Sequence, residues 1–231
     1  MKKSNLLREL VSPHGSMLIP HINAYQMRGQ FPDTWEIEIP NKKPEREHGE
    51  AKIRFSASED SLISEEALFR KFSEDTPKEP ISAELRRIFD CGTFWHGYLQ
   101  NILVDMGFIH PDGVEKYIIK KIERPEGVAY GSGLGDLVGV EIPSNGKWLV
   151  DIKTMNVVAF ANPPSYLMDK YTAQIRLYGD WFGYDKLMIL AVNKNGGDLK
   201  EIQITPDPVF IEEVYQKWIT VTDRLEGCVI R

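Results

Sequence analysis

The sequence contains few of the residues that stabilise small extracellular proteins or bind zinc through sulfur. Its 231 residues include only two cysteines, Cys91 and Cys228, which form no C-x-x-C pattern. We therefore expect neither a disulfide framework nor a structural zinc site, and a reducing cytosol is the expected location. No apolar run approaches the length of a transmembrane helix. The opening MKKSNLLREL lacks the apolar core of a secretory signal, so we expect a cytoplasmic protein without membrane contact.

The sequence also lacks an excess of positive charge. It has 28 lysine and arginine residues against 34 aspartate and glutamate residues, a formal net charge of −6. This balance excludes a surface that is basic throughout and binds nucleic acid non-specifically. It still allows a local basic groove, because charges in physiological salt act over only about 8 Å. The apolar fraction of 42% is ordinary for a globular protein, and a packed core is expected.

A regular secondary-structure pattern begins near residue 80. Residues 1–80 are interpreted as an irregular or helical N-terminal extension packed on or near the core, with a short helix at 64–72 and a loop at 73–80. Residues 81–231 are predicted to form the core domain. Its predicted order is a helix, three strands, a helix, two strands and a closing helix. This order indicates an α/β fold with a central mixed β-sheet flanked by helices.

Three charged side chains interrupt a predicted hairpin, whose strands at 134–142 and 147–154 flank the turn sequence PSNG. Residues two apart on a strand share a face, so Asp151 and Lys153 should point one way and Ile152 the other. Asp136 lies on the neighbouring strand. Two close carboxylates repel each other, and a bound Mg²⁺ or Mn²⁺ would offset their charge. A solvated pair on an edge strand remains the alternative, since D-x-K is common by chance.

Polar residues on two predicted helices extend this pattern. Gln174 and Tyr178 are four residues apart and share one helical face. His96 lies one turn before Gln100 on the helix predicted at 82–107. Packing explains each of these residues equally well when it is taken alone. The stretch GSGLGD, which ends at Asp136, is interpreted as a glycine-rich turn that brings the backbone close to whatever Asp136 binds.

The order of these residues resembles the motif set of the PD-(D/E)XK nucleases, and most of all the RecB-like and phage-type exonuclease branch. The resemblance spans roughly residues 82–205. The four motifs of that branch correspond here to Gly92 and His96, to Gly133 and Asp136, to Asp151 and Lys153, and to Gln174 and Tyr178. The third motif carries aspartate where many relatives have glutamate. Two cysteines cannot supply the four-cysteine iron–sulfur cluster of some relatives.

The resemblance implies a restriction-endonuclease-like fold and a metal-dependent DNA nuclease. An exonuclease that leaves 5′-phosphates in phage-type recombination, repair or replication is favoured. The metal ligands implied for one or two Mg²⁺ or Mn²⁺ ions are His96, Asp136, Asp151 and the backbone carbonyl of Ile152. The catalytic residues implied are Asp136, Asp151, Lys153, Gln174 and Tyr178. The residues expected to contact nucleic acid are Lys170, Gln174, Arg176 and Tyr178.

Two other functions remain open at this stage. One is a structure-selective endonuclease or junction resolvase on the same fold, because the motifs describe bond cleavage and not its position. The other is a non-catalytic DNA-binding module, which the complete set of His96, Asp136, Asp151 and Lys153 disfavours. The expected partner is single- or double-stranded DNA. A homo-oligomer or a recombination-protein partner is left open, and a phage-encoded protein would act in the host cytoplasm.

Overall fold

The structure of the protein is a computed structural model that describes residues 15–29, 53–74 and 80–229. Most of the loop predicted at 73–80 lies outside the described residues. The helices are α1 (Ile19–Met27), α2 (Glu65–Ser73), α3 (Ala83–Asp105), α4 (Val157–Ala161), α5 (Ser165–Phe182) and α6 (Pro208–Val229). The strands are β1 (Phe55–Ser56), β2 (Val114–Arg124), β3 (Gly127–Ile142), β4 (Gly146–Met155), β5 (Leu187–Asn193) and β6 (Leu199–Ile204).

The six strands form one mixed sheet. The strand order is β1–β3–β4–β5–β6, and β2 also pairs with β3. The β3–β4 and β5–β6 neighbours are antiparallel, whereas β4 and β5 are parallel. Parallel neighbours need a crossover connection, which α4 and α5 provide here. The predicted fold class, a central mixed sheet flanked by helices, is confirmed.

Helices cover both faces of the sheet and bury a core on each. The α2, α5 and α6 side forms an apolar cluster around Trp218 and Phe55, whose rings stack 5.0 Å apart. The α1 and α3 side forms a second cluster that includes Ile152 and Leu103. Every residue of β5 is buried, as expected for a strand that is covered on both faces. The sheet is therefore the middle layer of three.

Two helix ends have well-known capping residues. Ser82 caps α3 by accepting the backbone N–H of Leu85, and α5 ends at Gly183 in the left-handed conformation. The predicted glycine-rich turn, however, is wrong, because Gly131–Asp136 lies inside the 16-residue strand β3. The glycines occur there because aromatic side chains of α5 pack directly against the strand, as described below for the site.

The described parts of the N-terminal region pack on the same sheet. β1 pairs with β3 in parallel, and Arg224 of α6 forms ion pairs with Glu65 and Glu66 of α2. The division of the chain at residue 81 stays a prediction. Within the described residues, no helix has both the length and the apolar character that a bilayer crossing requires.

A buried carboxylate attaches α1 to the far edge of the sheet. Glu201 of β6 is 5% exposed and accepts the backbone N–H groups of Met17, Leu18 and Ile19 at 2.6–2.7 Å. These donors lie at the start of α1, where no intrahelical acceptor is available for them. One side chain therefore satisfies three backbone groups and fixes the position of the helix.

Replacing this carboxylate should loosen α1. Glu201→Gln keeps the size of the side chain but removes the charge and one acceptor oxygen, so we expect a loss of about 2 kcal/mol of unfolding free energy. Urea unfolding followed by tryptophan fluorescence measures the change. Glu213→Gln, at an exposed position of α6, is the matched control and should leave the midpoint unchanged. Equal midpoints for the two variants would contradict this role of Glu201.

Candidate active site

The candidate site lies where β3 and β4 separate. β2 occupies one edge of β3 from Gly127 to Leu137, so β1 and β4 must share the other edge. β1 pairs with Gly131 and Ser132, and β4 pairs only from Leu137 onward. Residues 133–136 therefore have no strand partner on this edge. The Oδ2 atom of Asp136 accepts the backbone N–H of Ile152 at 2.8 Å across the opening, which satisfies a buried donor at the start of the gap.

Asp151 and Lys153 lie on the face of β4 toward α5, as their spacing predicts, and Ile152 packs in the opposite core. Asp151 is 1% exposed. The Lys153 ammonium lies 2.7 Å from Asp151 Oδ2 and is its partner in charge. Neither Asp151 oxygen has a well-directed hydrogen bond among the described residues. Oδ2 contacts the Lys153 ammonium, whereas Oδ1 accepts no hydrogen bond among the described residues. A buried carboxylate oxygen without a partner is costly, and a divalent cation with oxygen preference fits this position.

Helix α3 brings His96 to the same place. Its Nδ1 atom lies 3.5 Å from Asp136 Oδ2, and the side chain is 26% exposed, so it faces both the carboxylate and the solvent. Gln100, one turn later, is buried, and its Nε2 atom lies 3.5 Å from the carbonyl oxygen of Asp136. The structure thus brings together four of the predicted residues, namely His96, Asp136, Asp151 and Lys153.

One acidic residue of this site, Glu115, is not predicted from the sequence. Glu115 at the start of β2 offers an oxygen that lies within 4.8 Å of ligand atoms of His96 and Asp136. Gln100 Nε2 donates to Glu115 Oε1 at 2.7 Å and orients the carboxylate. A glutamate at the start of a strand is ordinary, and only the pairing of β2 with β3 places it opposite Asp136. No local pattern in the sequence could have revealed it.

The charges at the site shift one another's protonation equilibria. Burial raises the pKa of Asp151 to about 6, although the nearby Lys153 ammonium opposes the shift. Burial likewise raises the pKa of Asp136. Burial would lower the pKa of Lys153, but the Asp151 and Asp136 carboxylates outweigh it and the pKa is raised. The lysine is therefore held as an ammonium, while both carboxylates favour any bound positive charge.

Helix α5 contributes Gln174 and Tyr178, which are both buried beside the opening. The Tyr178 hydroxyl accepts the backbone N–H of Leu134 at 3.2 Å and lies 3.4 Å from Gln174 Nε2. Burial raises the pKa of Tyr178 to about 12, which keeps the hydroxyl protonated. The Tyr178 hydroxyl satisfies the backbone N–H of Leu134, as a neighbouring strand does for other residues of β3. Gln174 fixes the position of this hydroxyl.

The glycine-rich part of β3 makes this approach of α5 possible. A Cβ atom on Gly133 would overlap the Tyr178 ring, and one on Gly131 would come within 2.6 Å of Trp181. Both positions therefore exclude larger side chains for reasons of space. The alternation of glycine along this strand reflects aromatic packing from α5 against one face of the sheet.

The two predicted cationic contacts differ in position. Lys170 is exposed on α5. Arg176 points to another side of the helix, where it pairs with Asp207 at 3.1 Å and donates to the carbonyl oxygen of Thr205 at 3.0 Å. The structure therefore does not bring Arg176 together with the carboxylates.

A cavity of about 650 Å³ adjoins the carboxylates. Asp136, Gln174 and Tyr178 form one side of it, and the β1–α2 region forms the other. That region contributes two cations, Arg54 and Lys71, and the hydroxyls of Ser56 and Ser58. Glu59 and Asp60 line the same side and pair with Lys71 at 3.2 and 2.6 Å, so the hydroxyl-rich side has no excess of positive charge. No role for these β1–α2 residues is predicted from the sequence.

The chain is similar to several solved structures. SSO0001 matches with a TM-score of 0.48 and 12% identity, over 90% of this chain and 88% of that chain. LHK-Exo in complex with dAMP matches with a TM-score of 0.47 and 14% identity, over 75% and 88%. A second LHK-Exo structure, described as an alkaline exonuclease from Laribacter hongkongensis, matches with a TM-score of 0.42 and 13% identity, over 75% and 88%. No family model and no curated protein matches the chain.

The raised pKa of Asp151 predicts a pH-dependent stability of the metal-free protein. The carboxyl binds its proton more tightly in the folded state, with a pKa of about 6, than in the unfolded chain, where the ordinary value is 3.8. This contribution to stability is complete below pH 3.8 and is lost as the pH rises through about 6. Relative to Asp151→Asn, wild type should lose about 2 kcal/mol of unfolding free energy between these limits. Denaturant unfolding in EDTA measures it.

The control for this measurement is Asp169→Asn, which alters an exposed carboxyl of α5. Its stability should follow wild type across the whole pH range. Parallel curves for wild type and Asp151→Asn would show that the buried carboxyl carries no such cost.

The close contact between Gly133 and Tyr178 predicts a second effect on stability. Gly133→Ala forces β3 and α5 apart, and we expect a loss of about 2 kcal/mol. Gly97→Ala in α3, where an added Cβ meets no atom within 4 Å, should instead stabilise the helix by up to about 1 kcal/mol. Thermal and urea unfolding compare the two variants. A neutral Gly133→Ala would contradict the packing described for this strand.

Proposed function

We propose that this protein is a metal-dependent nuclease that hydrolyses phosphodiester bonds of DNA. The observation that carries the proposal is the buried Asp151 carboxylate, whose oxygens lack well-directed hydrogen bonds beside Asp136 and Lys153. A structural protein would gain by replacing such a group with an apolar one. A protein that must bind a cation at this point has a reason to keep it.

The donor set agrees with a hard divalent cation such as Mg²⁺ or Mn²⁺. Asp136 and Asp151 would hold it, together with His96 and the backbone carbonyl of Ile152. A cation bound there would polarise a phosphoryl oxygen and stabilise the leaving oxygen. Side chains of the protein would position the scissile phosphate and the attacking water.

Lys153 is proposed to orient the attacking water and to offset negative charge that develops on the phosphate. In the metal-free protein its pKa is raised by the two carboxylates, so it is an ammonium that can donate hydrogen bonds to the water. The Tyr171 ring lies 5.2 Å from its ammonium and helps to fix its position. In-line attack of water opposite the 3′-oxygen would break the P–O3′ bond, with the 3′-oxygen leaving and taking up a proton, and would leave a 5′-phosphate and a 3′-hydroxyl.

The proposed contacts to nucleic acid surround this centre. Gln174 and Tyr178 shape the wall next to the phosphate, and Lys170 lies exposed on the same helix. Arg176 is the weakest member of the predicted set, because it is engaged with Asp207. Arg54 and the hydroxyls of Ser56 and Ser58 line the adjoining cavity, which supports binding of a nucleotide phosphate there. Lys71 is engaged with Asp60 and Glu59.

An exonuclease acting in phage-type recombination, repair or replication is the activity that we propose from the motif order. A structure-selective endonuclease remains the alternative on the same fold. A non-catalytic DNA-binding module is less favoured, because it would have no use for a buried, unsatisfied Asp151 next to an ammonium.

Nuclease assays on end-labelled linear DNA and on closed circular DNA test the proposal. Wild type with Mg²⁺ or Mn²⁺ should degrade linear DNA progressively from its ends and leave closed circles intact. Lys153→Ala and Asp151→Asn should each lower the rate by about 10²–10⁴-fold. Cleavage of closed circles would identify an endonuclease instead.

Matched controls separate this effect from damage to the fold. Lys147→Ala changes an exposed lysine of the same strand, and Asp169→Asn changes an exposed carboxyl of α5. Both should retain the wild-type rate. Full activity in Asp151→Asn and Lys153→Ala, or no cleavage by wild type with either ion, would refute the proposal.

A further inference from the structure

Glu115 has a backbone conformation that is unfavourable for a residue with a side chain. Its φ of 48° lies in the left-handed region. Among the described residues only one other non-glycine residue has a positive φ, Ser144, which lies in the tight turn between β3 and β4. Glu115 is the second residue of β2 and lies beyond the short 3-10 turn Pro111–Gly113, so it is not itself a turn residue. Such strain persists only where surrounding contacts impose it, and it is concentrated at functional sites.

The conformation coincides with a gap in the strand pairing. Val114 pairs with Leu137 and Lys116 with Gly135, and Glu115 has no ladder partner between them. At this gap the Glu115 carboxylate approaches His96 and Asp136, and one of its oxygens accepts a hydrogen bond from Gln100. The left-handed residue thus places a third carboxylate at the site, and Gln100 fixes its orientation.

We propose that His96, Glu115 and Asp136 form a cation position that prefers Mn²⁺ to Mg²⁺. This inference rests on the proposed function in placing the position within the nuclease site. The three ligand atoms lie within 4.8 Å of one another, which allows one ion at about 2.1–2.4 Å from each. An imidazole nitrogen favours transition metals, whereas carboxylates alone suit Mg²⁺ equally well.

The neighbouring Asp151 also favours a cation close to these three residues. Asp151 is buried, has no well-directed hydrogen bond, and interacts electrostatically with Asp136 and His96. Together with Glu115, the site therefore contains three carboxylates and one ammonium, that of Lys153. When all are ionised, two negative charges remain uncompensated. One divalent ion balances them, and it would be bound by His96, Glu115 and Asp136 beside Asp151.

Metal binding by the full-length protein without DNA tests the proposal. Isothermal titration with Mn²⁺ and with Mg²⁺ should show tighter binding of Mn²⁺ by wild type. Glu115→Gln should lower Mn²⁺ affinity about 10-fold or more, which is the minimum expected for losing a ligand. Glu123→Gln, at the exposed far end of the same strand, should bind Mn²⁺ as wild type does. Unchanged Mn²⁺ affinity in Glu115→Gln would overturn the proposal.

A second variant guards against a folding defect. Glu115→Gly removes the carboxylate and suits the left-handed backbone, so it should fold and still lose Mn²⁺ affinity. Ser144→Gly, at the other left-handed position, is its control and should retain it. Pulsed electron paramagnetic resonance of Mn²⁺ bound to wild type should detect a coupled histidine nitrogen. Absence of that coupling would also overturn the proposal.

The metal-binding result and the nuclease result can be told apart. Glu115-dependent Mn²⁺ binding without any DNA cleavage would refute the proposed nuclease and leave the cation position standing. DNA cleavage that depends on Asp151 and Lys153, combined with Mn²⁺ affinity that does not depend on Glu115, would leave the nuclease standing and refute the cation position.

Discussion

The hydrogen bond from the Ile152 backbone N–H to the Asp136 carboxylate is the contact on which the site depends. It spans the point where β3 and β4 separate. A buried backbone donor at the end of a ladder needs an acceptor, and here a side chain supplies it. The same carboxylate then faces His96 and lies beside Asp151. Asp136 therefore satisfies a backbone donor where the β3–β4 pairing ends and also forms part of the candidate site.

The energetic cost of the site is concentrated at the buried carboxylates. Asp136 and Asp151 both lie away from water, and burial raises the pKa of each. Lys153 offsets part of this cost and is itself kept charged by the two carboxylates. The remaining imbalance favours a bound cation. Burying these carboxylates lowers the stability of an otherwise well-packed fold. Departures of this kind from the usual packing rules are expected at functional sites.

Helices on both faces of the sheet contribute side chains to the site around Asp136. α5 presses aromatic rings against the glycines of β3 and brings Gln174 and Tyr178 to the opening. α3 brings His96 and Gln100 from the opposite face. The parallel placement of β4 beside β5 provides a rigid, fully buried support behind Asp151. Each helix is held by its apolar core, so the polar residues at its edge are positioned by packing and do not depend on their own weak interactions.

The sequence by itself determined the features that depend on local periodicity. The shared face of Asp151 and Lys153, the shared helical face of Gln174 and Tyr178, and the span of α3 all follow from the repeats of strand and helix. Only the tertiary structure decided what depends on contacts between distant segments. It places Glu115 opposite Asp136 and pairs Arg176 with Asp207. It also shows that the glycines of β3 leave room for aromatic rings of α5. These outcomes are set by contacts between distant segments, and the local sequence does not identify which distant residue will be the partner.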